Sequence, residues 1–229
     1  MVGIIGAMKV EVEGLCSLIE NCATKRISGR DFYIGKINKC DVVVVESGVG
    51  KVNAALATSI LCQNFDIDLI INTGVAGGVG DVKPLDLVIA DKFAYHDFDL
   101  TPIGYQKGVI PGIGRTFDTD EEARNLAINI AKKNNIKYHV GNIASGDIFA
   151  TKLDILDGLD MNISAVEMEG AAIAHAAKIF NKKFIALRVI SDVLESENQS
   201  QSFTEVEKKA AEYAIIFVFE IINKLVLTK

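Results

Sequence analysis

Six apolar segments of this sequence each end in a short run of small or acidic residues, and this recurrence strongly constrains the fold. Continuous apolar runs are typical of strands buried on both faces of a sheet that helices cover. Ligands of α/β sheets bind outside the ends of the strands. The sequence therefore predicts an α/β protein with one binding rim, built where the segments end at Gly6, Ser47, Gly74, Ser145, Val166 and Asp192.

The length and charge of the chain limit its class. With 229 residues it is long enough for one large domain, 1–229, and no repeat or boundary is evident. Lys and Arg number 24 against 30 Asp and Glu, without a basic run, so we expect no nucleic-acid partner. No apolar run reaches membrane length, and residues 1–6 resemble a strand rather than a leader, so we expect no membrane partner and a cytoplasmic protein.

The cysteines and histidines do not form a metal-binding pattern. The four cysteines lack Cys-x-x-Cys spacing, and the three histidines are widely separated along the chain. We therefore expect buried, reduced thiols and neither a metal nor a cofactor.

Glu11 follows the first apolar segment and lies just inside a helix predicted to run from Met8 to Ile19. One interpretation is a solvated acid that complements the helix dipole. The other is a base that faces the cleft above the end of the strand. The residues alone leave both open.

Two glycine-rich stretches follow apolar segments, but neither has the spacing of a nucleotide phosphate loop. After Gly48 and Gly50, Asn53 occupies the place of the third glycine of a dinucleotide fingerprint. Residues 74–80 contain four glycines but no Gly-Lys-Ser/Thr of a Walker motif. At 48–50 we predict instead a backbone that a ligand approaches closely or that turns sharply. At 74–80 we predict a backbone exposed to a flat or closely fitted ligand, or a loop with unusual torsions.

The middle of the chain predicts two short strands, 87–90 and 93–95, and then an irregular loop over 100–116. A loop this long is usually functional or packed against a partner. Asp118 is the predicted cap of the next helix, with Glu121 three residues on.

Three further positions allow a structural or a functional interpretation. Phe149 is either a core residue or an aromatic shelf for a planar ligand. Asp192 either caps a helix or faces the cleft. Glu167 and Glu169 bracket Met168 where a strand meets an alanine-rich helix, and they either complement the helix dipole or belong to the site.

Taken in order along the chain, six motifs resemble the 5′-methylthioadenosine/S-adenosylhomocysteine nucleosidases over nearly its whole length. They are Gly3-x-x-Gly6-Ala7-Met8 with Glu11, Ser47-Gly48-Val49-Gly50-Lys51, Asn72-Thr73-Gly74-Val75-Ala76-Gly77-Gly78, Ser145-Gly146-Asp147, Val166-Glu167-Met168-Glu169 and Arg188-Val189-Ile190-Ser191-Asp192.

The resemblance implies a nucleoside-phosphorylase-like fold, with three α/β/α layers around a mixed, barrel-like sheet, and a homodimer. It implies hydrolysis of the N-glycosidic bond of methylthioadenosine and S-adenosylhomocysteine, and of 5′-deoxyadenosine as a further candidate. Adenine and a 5-alkylthioribose are the products, as in methionine salvage.

In the family, Glu11 matches the base that deprotonates the attacking water, and Asp192 matches the acid that protonates adenine N7. Each role contributes about 10²–10⁴ in rate. Glu169 matches the carboxylate that binds the ribose hydroxyls and offsets developing positive charge. Met168 packs on the ribose, and Glu167 has a supporting role.

The resemblance also assigns the rest of the pocket. Phe149 stacks on adenine, Ala150 offers backbone hydrogen bonds to the base, and Ser191 supports Asp192. The remaining substrate-binding positions are the apolar wall Ala7, Met8 and Val49, the glycine-rich turn Val75, Ala76 and Gly77, and Arg188 and Phe203.

Two features concern water and a second subunit. Many relatives have Ser where this chain has Val75, which removes one hydrogen bond to the attacking water. The 100–116 loop matches a segment that reaches the neighbour's pocket in the family dimer, so Ile103, Tyr105 and Pro111 are expected over the alkylthio end of the substrate.

Three alternatives remain at this point. A nucleoside phosphorylase would need arginines to hold phosphate, and neither glycine-rich turn carries one. A hydrolase of futalosine-like nucleosides is a second. A nucleoside-binding or storage protein without catalysis is the third, although the joint presence of Glu11, Glu169 and Asp192 argues against it.

Overall fold

The computed structural model describes residues 1–195 and 199–227. The strands in these ranges are β1 (Val2–Gly6), β2 (Glu20–Ile27), β3 (Arg30–Ile37), β4 (Cys40–Glu46), β5 (Leu69–Gly78), β6 (Leu87–Tyr95), β7 (Phe117–Asp118), β8 (Tyr138–Ser145), β9 (Ile163–Glu167) and β10 (Lys183–Val193). The helices are α1 (Lys9–Cys16), α2 (Lys51–Asn64), α3 (Glu121–Lys133), α4 (Gly170–Ile179) and α5 (Gln199–Leu227).

The strands form one mixed sheet that closes on itself along part of its length. β5 pairs in parallel with β1 on one side and with β10 on the other. From β10 the sheet continues through β6, β8 and β9, and β9 returns to Gly77 and Gly78 at the end of β5. β1, β4, β3 and β2 extend from the closed part as an open wing. The sheet is therefore barrel-like, as predicted.

Helices cover both faces of this sheet and make two apolar layers. α1, α3 and α5 contribute Leu15, Ile130 and Phe217 to one layer, together with alternate residues of the strands. α2 and α4 contribute Leu61 and Ile173 to the other. Because the central strands are buried on both faces, they carry the continuous apolar runs seen in the sequence. The predicted α/β/α arrangement is confirmed.

Residues 74–78 of the glycine-rich stretch are part of β5, so a loop with unusual torsions is wrong for them, whereas Gly80 follows the strand and has a φ of 77°. Gly74 and Gly77 lack positive φ angles and serve close packing. A Cβ on Gly74 would lie 2.7 Å from Glu11 Oε1, and one on Gly77 would lie 2.9 Å from Leu194 Cδ1. Glycine here lets side chains of the rim rest directly on the strand.

Several predicted boundaries need correction. α1 ends at Cys16, not Ile19, because the chain turns there into β2. The two strands predicted over 87–95 are one strand, β6, with a register irregularity between Ala90 and Phe93. The cap of α3 is Asp120 rather than Asp118, which belongs to β7. Propensity allows either Asp as a cap, and the pairing of β7 with β6 decides between them.

The thiols and the last helix also differ from expectation. All four cysteines are free, but none is buried: Cys22 is exposed and the others are partly exposed. The sequence predicts that the last helix begins at Phe203, after a polar segment, but α5 begins at Gln199. In the part of the chain that the structure describes, no helix is long and apolar enough to cross a membrane.

Candidate active site

A cavity of about 250 Å³ opens at the rim where the strand ends meet. Its wall contains fourteen of the predicted site residues: Ala7, Met8, Glu11, Val49, Val75, Ala76, Gly77, Phe149, Ala150, Glu167, Met168, Glu169, Ser191 and Asp192. Ile148 and Val166 also line it and were not predicted. Ile148 precedes the predicted Phe149, and Val166 ends a predicted strand, so adjacency to those positions was the only signal for them.

Glu11 lies at the floor of the cavity and is only 4% exposed, so the solvated interpretation is wrong. Its Oε2 accepts hydrogen bonds from the backbone N–H of Ala7 at 2.6 Å and of Met8 at 3.0 Å. These donors lie at the start of α1, where a helix leaves its N–H groups unpaired. The same contacts that cap the helix therefore fix the carboxylate in the cavity.

Asp192 lies on β10, on the other side of β5 from Glu11. Its Oδ1 accepts a hydrogen bond from Ser191 Oγ, which also lies 3.3 Å from the carbonyl oxygen of Ala76. Its Oδ2 is buried and has no hydrogen-bond partner among the described residues. Asp192 thus faces the cavity with one carboxyl oxygen oriented and the other available to a ligand, and it caps no helix.

The two acids of the 167–169 segment have different partners. Glu169 accepts a hydrogen bond from the backbone N–H of Gly50 at 2.7 Å and faces the cavity beside Met168. Glu167 Oε2 accepts from the backbone N–H of Glu169 at 3.1 Å and of Gly170 at 2.7 Å, at the start of α4. Glu167 therefore stabilises the helix end, while Glu169 is left for the cavity.

Arg188 supports the site from below and is not part of the cavity wall. It is 2% exposed, and its Nη2 donates to Glu167 Oε2 at 2.7 Å and to Asn72 Oδ1. Asn72 Nδ2 donates in turn to the carbonyl of Ile5 at 2.9 Å. Ser145 Oγ donates to Glu167 Oε1. The sequence does not predict that Asn72 and Ser145 hold Arg188 and Glu167, because a polar residue after an apolar run does not reveal its partner.

The predicted residues of the long loop do not line this cavity. Ile103, 70% exposed, Tyr105 and Pro111 all lie in the loop before β7 and are absent from its wall. Position 203 lies in α5, but the side chain of Phe203 is outside the described part of the structure.

Burial changes the acidity of two of these carboxyl groups. Burial raises the pKa of Glu11, and the N–H of Met8 and the charge of Arg188 oppose that rise. Burial and the neighbouring Glu167 raise the pKa of Glu169 to about 7, against the opposing N–H of Gly50. Glu169 therefore changes charge near neutral pH, and shifted pKa values of this kind are common at functional sites.

The raised pKa of Glu169 predicts a pH-dependent stability. Its pKa is about 7 in the folded chain against an ordinary value of 4.5 for a glutamate, so stability is lost as pH rises from about 4.5 through 7. Glu169→Gln removes this loss. As pH rises through that range, the free energy of unfolding of the variant should therefore increase relative to that of wild type, by up to about 3 kcal/mol. Urea unfolding at pH 5 and pH 8 measures the difference. A difference that does not change with pH would contradict the assignment, and the exposed Glu121→Gln is the control.

The arrangement is suited to acid–base chemistry on a ligand with an apolar body. Four acidic residues, Glu11, Glu167, Glu169 and Asp192, line a mostly apolar cavity, and none of its described lining residues is an arginine or a lysine. Among the described residues, no group of three His, Cys, Asp or Glu side chains is placed to hold a metal ion. The cavity thus offers proton donors and acceptors and a negative charge.

Comparison with known proteins identifies the class of this site. The family model described as "Phosphorylase superfamily" matches residues 1–223. A curated 5′-methylthioadenosine/S-adenosylhomocysteine nucleosidase of Haemophilus influenzae is 40% identical over 98% of this chain and 99% of its own length.

Two solved structures have the same fold. The 5′-methylthioadenosine/S-adenosylhomocysteine nucleosidase of Neisseria meningitidis, in complex with methylthio-immucillin-A, has a TM-score of 0.91 and 35% identity, over 97% of this chain and 98% of that one. Futalosine hydrolase of Helicobacter pylori has a TM-score of 0.90 and 30% identity, over 97% of each chain.

The fold and the site thus define an N-glycosyl hydrolase of the phosphorylase superfamily, with the predicted nucleoside-phosphorylase-like fold. The chain belongs to the 5′-methylthioadenosine/S-adenosylhomocysteine nucleosidase family.

Proposed function

We propose that this enzyme hydrolyses the N-glycosidic bond of methylthioadenosine and S-adenosylhomocysteine, and that it accepts 5′-deoxyadenosine. The observation that carries the proposal is that Glu11 and Asp192 line the same cavity, and that Asp192 Oδ2 has no hydrogen-bond partner in the part of the chain that the structure describes. Gly74 and Gly77, the β5 positions beside the two carboxyl groups, are three residues apart, or about 10 Å of extended strand. The two carboxyl groups therefore lie beside different positions of one strand and can contact different parts of one ligand.

In the proposed reaction Asp192 gives its proton to adenine N7, so that the base leaves as a neutral molecule. The C1′–N9 bond breaks, and the ribose gains oxocarbenium character. A water forms the new C1′–O bond and gives its proton to Glu11, whose ionised form is required. The backbone N–H groups on Glu11 and the Ser191 hydroxyl on Asp192 orient the two carboxyl groups.

Glu169 supplies the negative charge that opposes the developing cation, and it binds the ribose hydroxyl groups. Because the cavity is mostly apolar and shielded from solvent, this charge acts more strongly than it would in water. Met168 packs on the sugar. Phe149, which is 54% exposed at the mouth of the cavity, stacks on adenine, and Ala150 binds the edge of the base.

Water is favoured over phosphate as the nucleophile because the described residues of the cavity wall include no basic side chain. Arg188, the nearest guanidinium, is engaged by Glu167 and Asn72. Val75 offers only an apolar side chain where many relatives have Ser, so the proposed water depends on Glu11 for its orientation.

The decisive experiment measures free adenine from methylthioadenosine with and without inorganic phosphate. We expect equal rates, and free 5-methylthioribose as the second product. Strict dependence on phosphate would refute hydrolysis, and tight binding without turnover would support a storage protein. A futalosine-type nucleoside should be tested as a second substrate, because futalosine hydrolase has the same fold. If the enzyme hydrolysed only that nucleoside, methylthioadenosine would not be its substrate.

We propose further that the enzyme is a homodimer acting in cytoplasmic methionine salvage. Large apolar side chains are exposed on α2 and on the loop before β7, including Val52, Leu56 and Ile103. Val52 and Leu56 are four residues apart on one face of α2, and an exposed apolar face is typical of an interface. It would let Ile103, Tyr105 and Pro111 reach the partner's cavity. Light scattering should give twice the mass of the chain, and a monomer at micromolar concentration would refute the dimer.

A further inference from the structure

An ion-pair cluster outside the cavity joins three segments of the rim. Lys51 is the first residue of α2, Asp97 follows β6, and Asp147 follows β8. Lys51 Nζ contacts Asp97 Oδ2 and lies 3.8 Å from Asp147 Oδ2. The backbone N–H of Asp147 donates to Asp97 Oδ2 at 2.9 Å, and that of Lys51 donates to Asp147 Oδ1 at 2.8 Å. The three residues therefore form a closed set of contacts.

This cluster touches the active site from two directions. Gly50, next to Lys51, donates its N–H to Glu169 at 2.7 Å. Gly50 has a φ of 94°, and a Cβ there would lie 3.0 Å from Asp147 Oδ1, so the turn is packed directly against that carboxylate. On its other side, Asp147 precedes the 148–150 segment of the cavity wall. The cluster thus connects two parts of the site: the Gly50 N–H that donates to Glu169, and the 148–150 segment that is proposed to bind adenine.

The Lys51–Asp97 pair of this cluster is partly shielded from solvent, whereas the Asp147 side chain is 47% exposed. The side chains of Lys51 and Asp97 are 23% and 17% exposed. Burial alone would raise the pKa of Asp97, but the hydrogen bonds from Lys51 and Asp147 outweigh it and hold the pKa below its usual value. Asp97 is therefore ionised, and Lys51 is the cation that balances it.

We infer that Lys51 and Asp97 are positioning residues of the proposed nucleosidase: they hold the Gly50 N–H on Glu169 and the 148–150 segment against the base. The inference rests on the proposed function, because it assigns Glu169 to the ribose. Neither residue lines the cavity, so both act through the backbone they fix.

The test compares Lys51→Met, Lys51→Arg and Asp97→Asn with wild type, using methylthioadenosine and released adenine. Without the Lys51 cation, the Gly50 donor is no longer held, and we expect kcat to fall by about 10- to 100-fold with a smaller change in KM. Without the Gly50 N–H, only the charge of Arg188 opposes the effect of Glu167 and Glu11, so the pKa of Glu169 should rise further. The acid limb of kcat/KM should therefore move to higher pH. Lys51→Arg should recover part of the rate.

Lys36→Met is the matched control, because Lys36 pairs with Asp41 at 2.6 Å on the exposed hairpin edge of β3 and β4. It should keep the wild-type profile. A Lys51→Met enzyme that is active with an unmoved acid limb would overturn the positioning role and leave the nucleosidase intact. Wild type that releases no adenine would overturn both proposals. If Lys51→Met does not fold, the milder Lys51→Arg and Asp97→Asn variants carry the same comparison of pH profiles.

Discussion

Replacing Asp192 by Asn is expected to lower the rate of adenine release by about 10²–10⁴-fold, or about 3–5 kcal/mol of barrier. An amide keeps the shape of the carboxyl group and can still accept the Ser191 hydrogen bond, so the fold should be retained. It has no acidic proton for N7, so adenine would have to leave as an anion. Single-turnover measurement of adenine with saturating methylthioadenosine tests this directly.

The controls for this variant separate chemistry from folding. The substituted chain should melt within a few degrees of wild type and still bind methylthioadenosine. Asp81→Asn makes the same chemical change at an exposed position and should leave the rate unchanged. Near-normal turnover by the Asp192 variant would mean that another group protonates the base.

Replacing Arg188 by Met should destabilise the chain by about 3–5 kcal/mol, because it leaves a buried carboxylate without its cation. Glu167 would keep the Ser145 hydroxyl and the N–H groups of Glu169 and Gly170, but no positive charge would remain in hydrogen-bond contact with it. Asn72 would lose a hydrogen-bond donor as well. Chemical denaturation at pH 7 measures the loss, and adenine release should fall with it as the 167–169 segment loosens.

Two comparisons define the result for Arg188. Arg26→Met removes an exposed pair with Asp31 and should cost less than about 1 kcal/mol. Adding Glu167→Gln to Arg188→Met should restore part of the stability, since the buried charge is then gone. An Arg188 variant as stable as the Arg26 variant would show that the buried pair contributes no net stability.

The rim could be predicted because strand ends in α/β sheets are marked locally in the sequence. Each apolar run predicts a buried strand, and the small residues after it predict a tight turn where the chain leaves the sheet, as at Ser47 and Ser145. The motif resemblance then supplied roles for residues such as Glu11 and Asp192. The sequence also excluded nucleotide phosphate loops, because those depend on fixed local spacing, which Asn53 breaks.

Contacts between distant segments were beyond such reasoning. Asp118 and Asp120 are equally suitable caps by type, and only the pairing of β7 with β6 decides between them. The glycines of β5 suggested a loop, yet they serve packing beneath Glu11, a residue far away in the sequence. Lys51 appeared only as the end of a motif, and its carboxylate partners follow two other strands.

The sequence by itself determined the layered α/β class and the set of carboxyl groups available to the site, because strand burial and motif order are recorded locally. Only the tertiary structure decided what each carboxyl group does. Glu167 and Glu169 are two residues apart and chemically identical, but Arg188 and the N–H groups of α4 hold the first, while Gly50 leaves the second facing the cavity. Their different environments come from packing across the sheet, which local sequence does not encode.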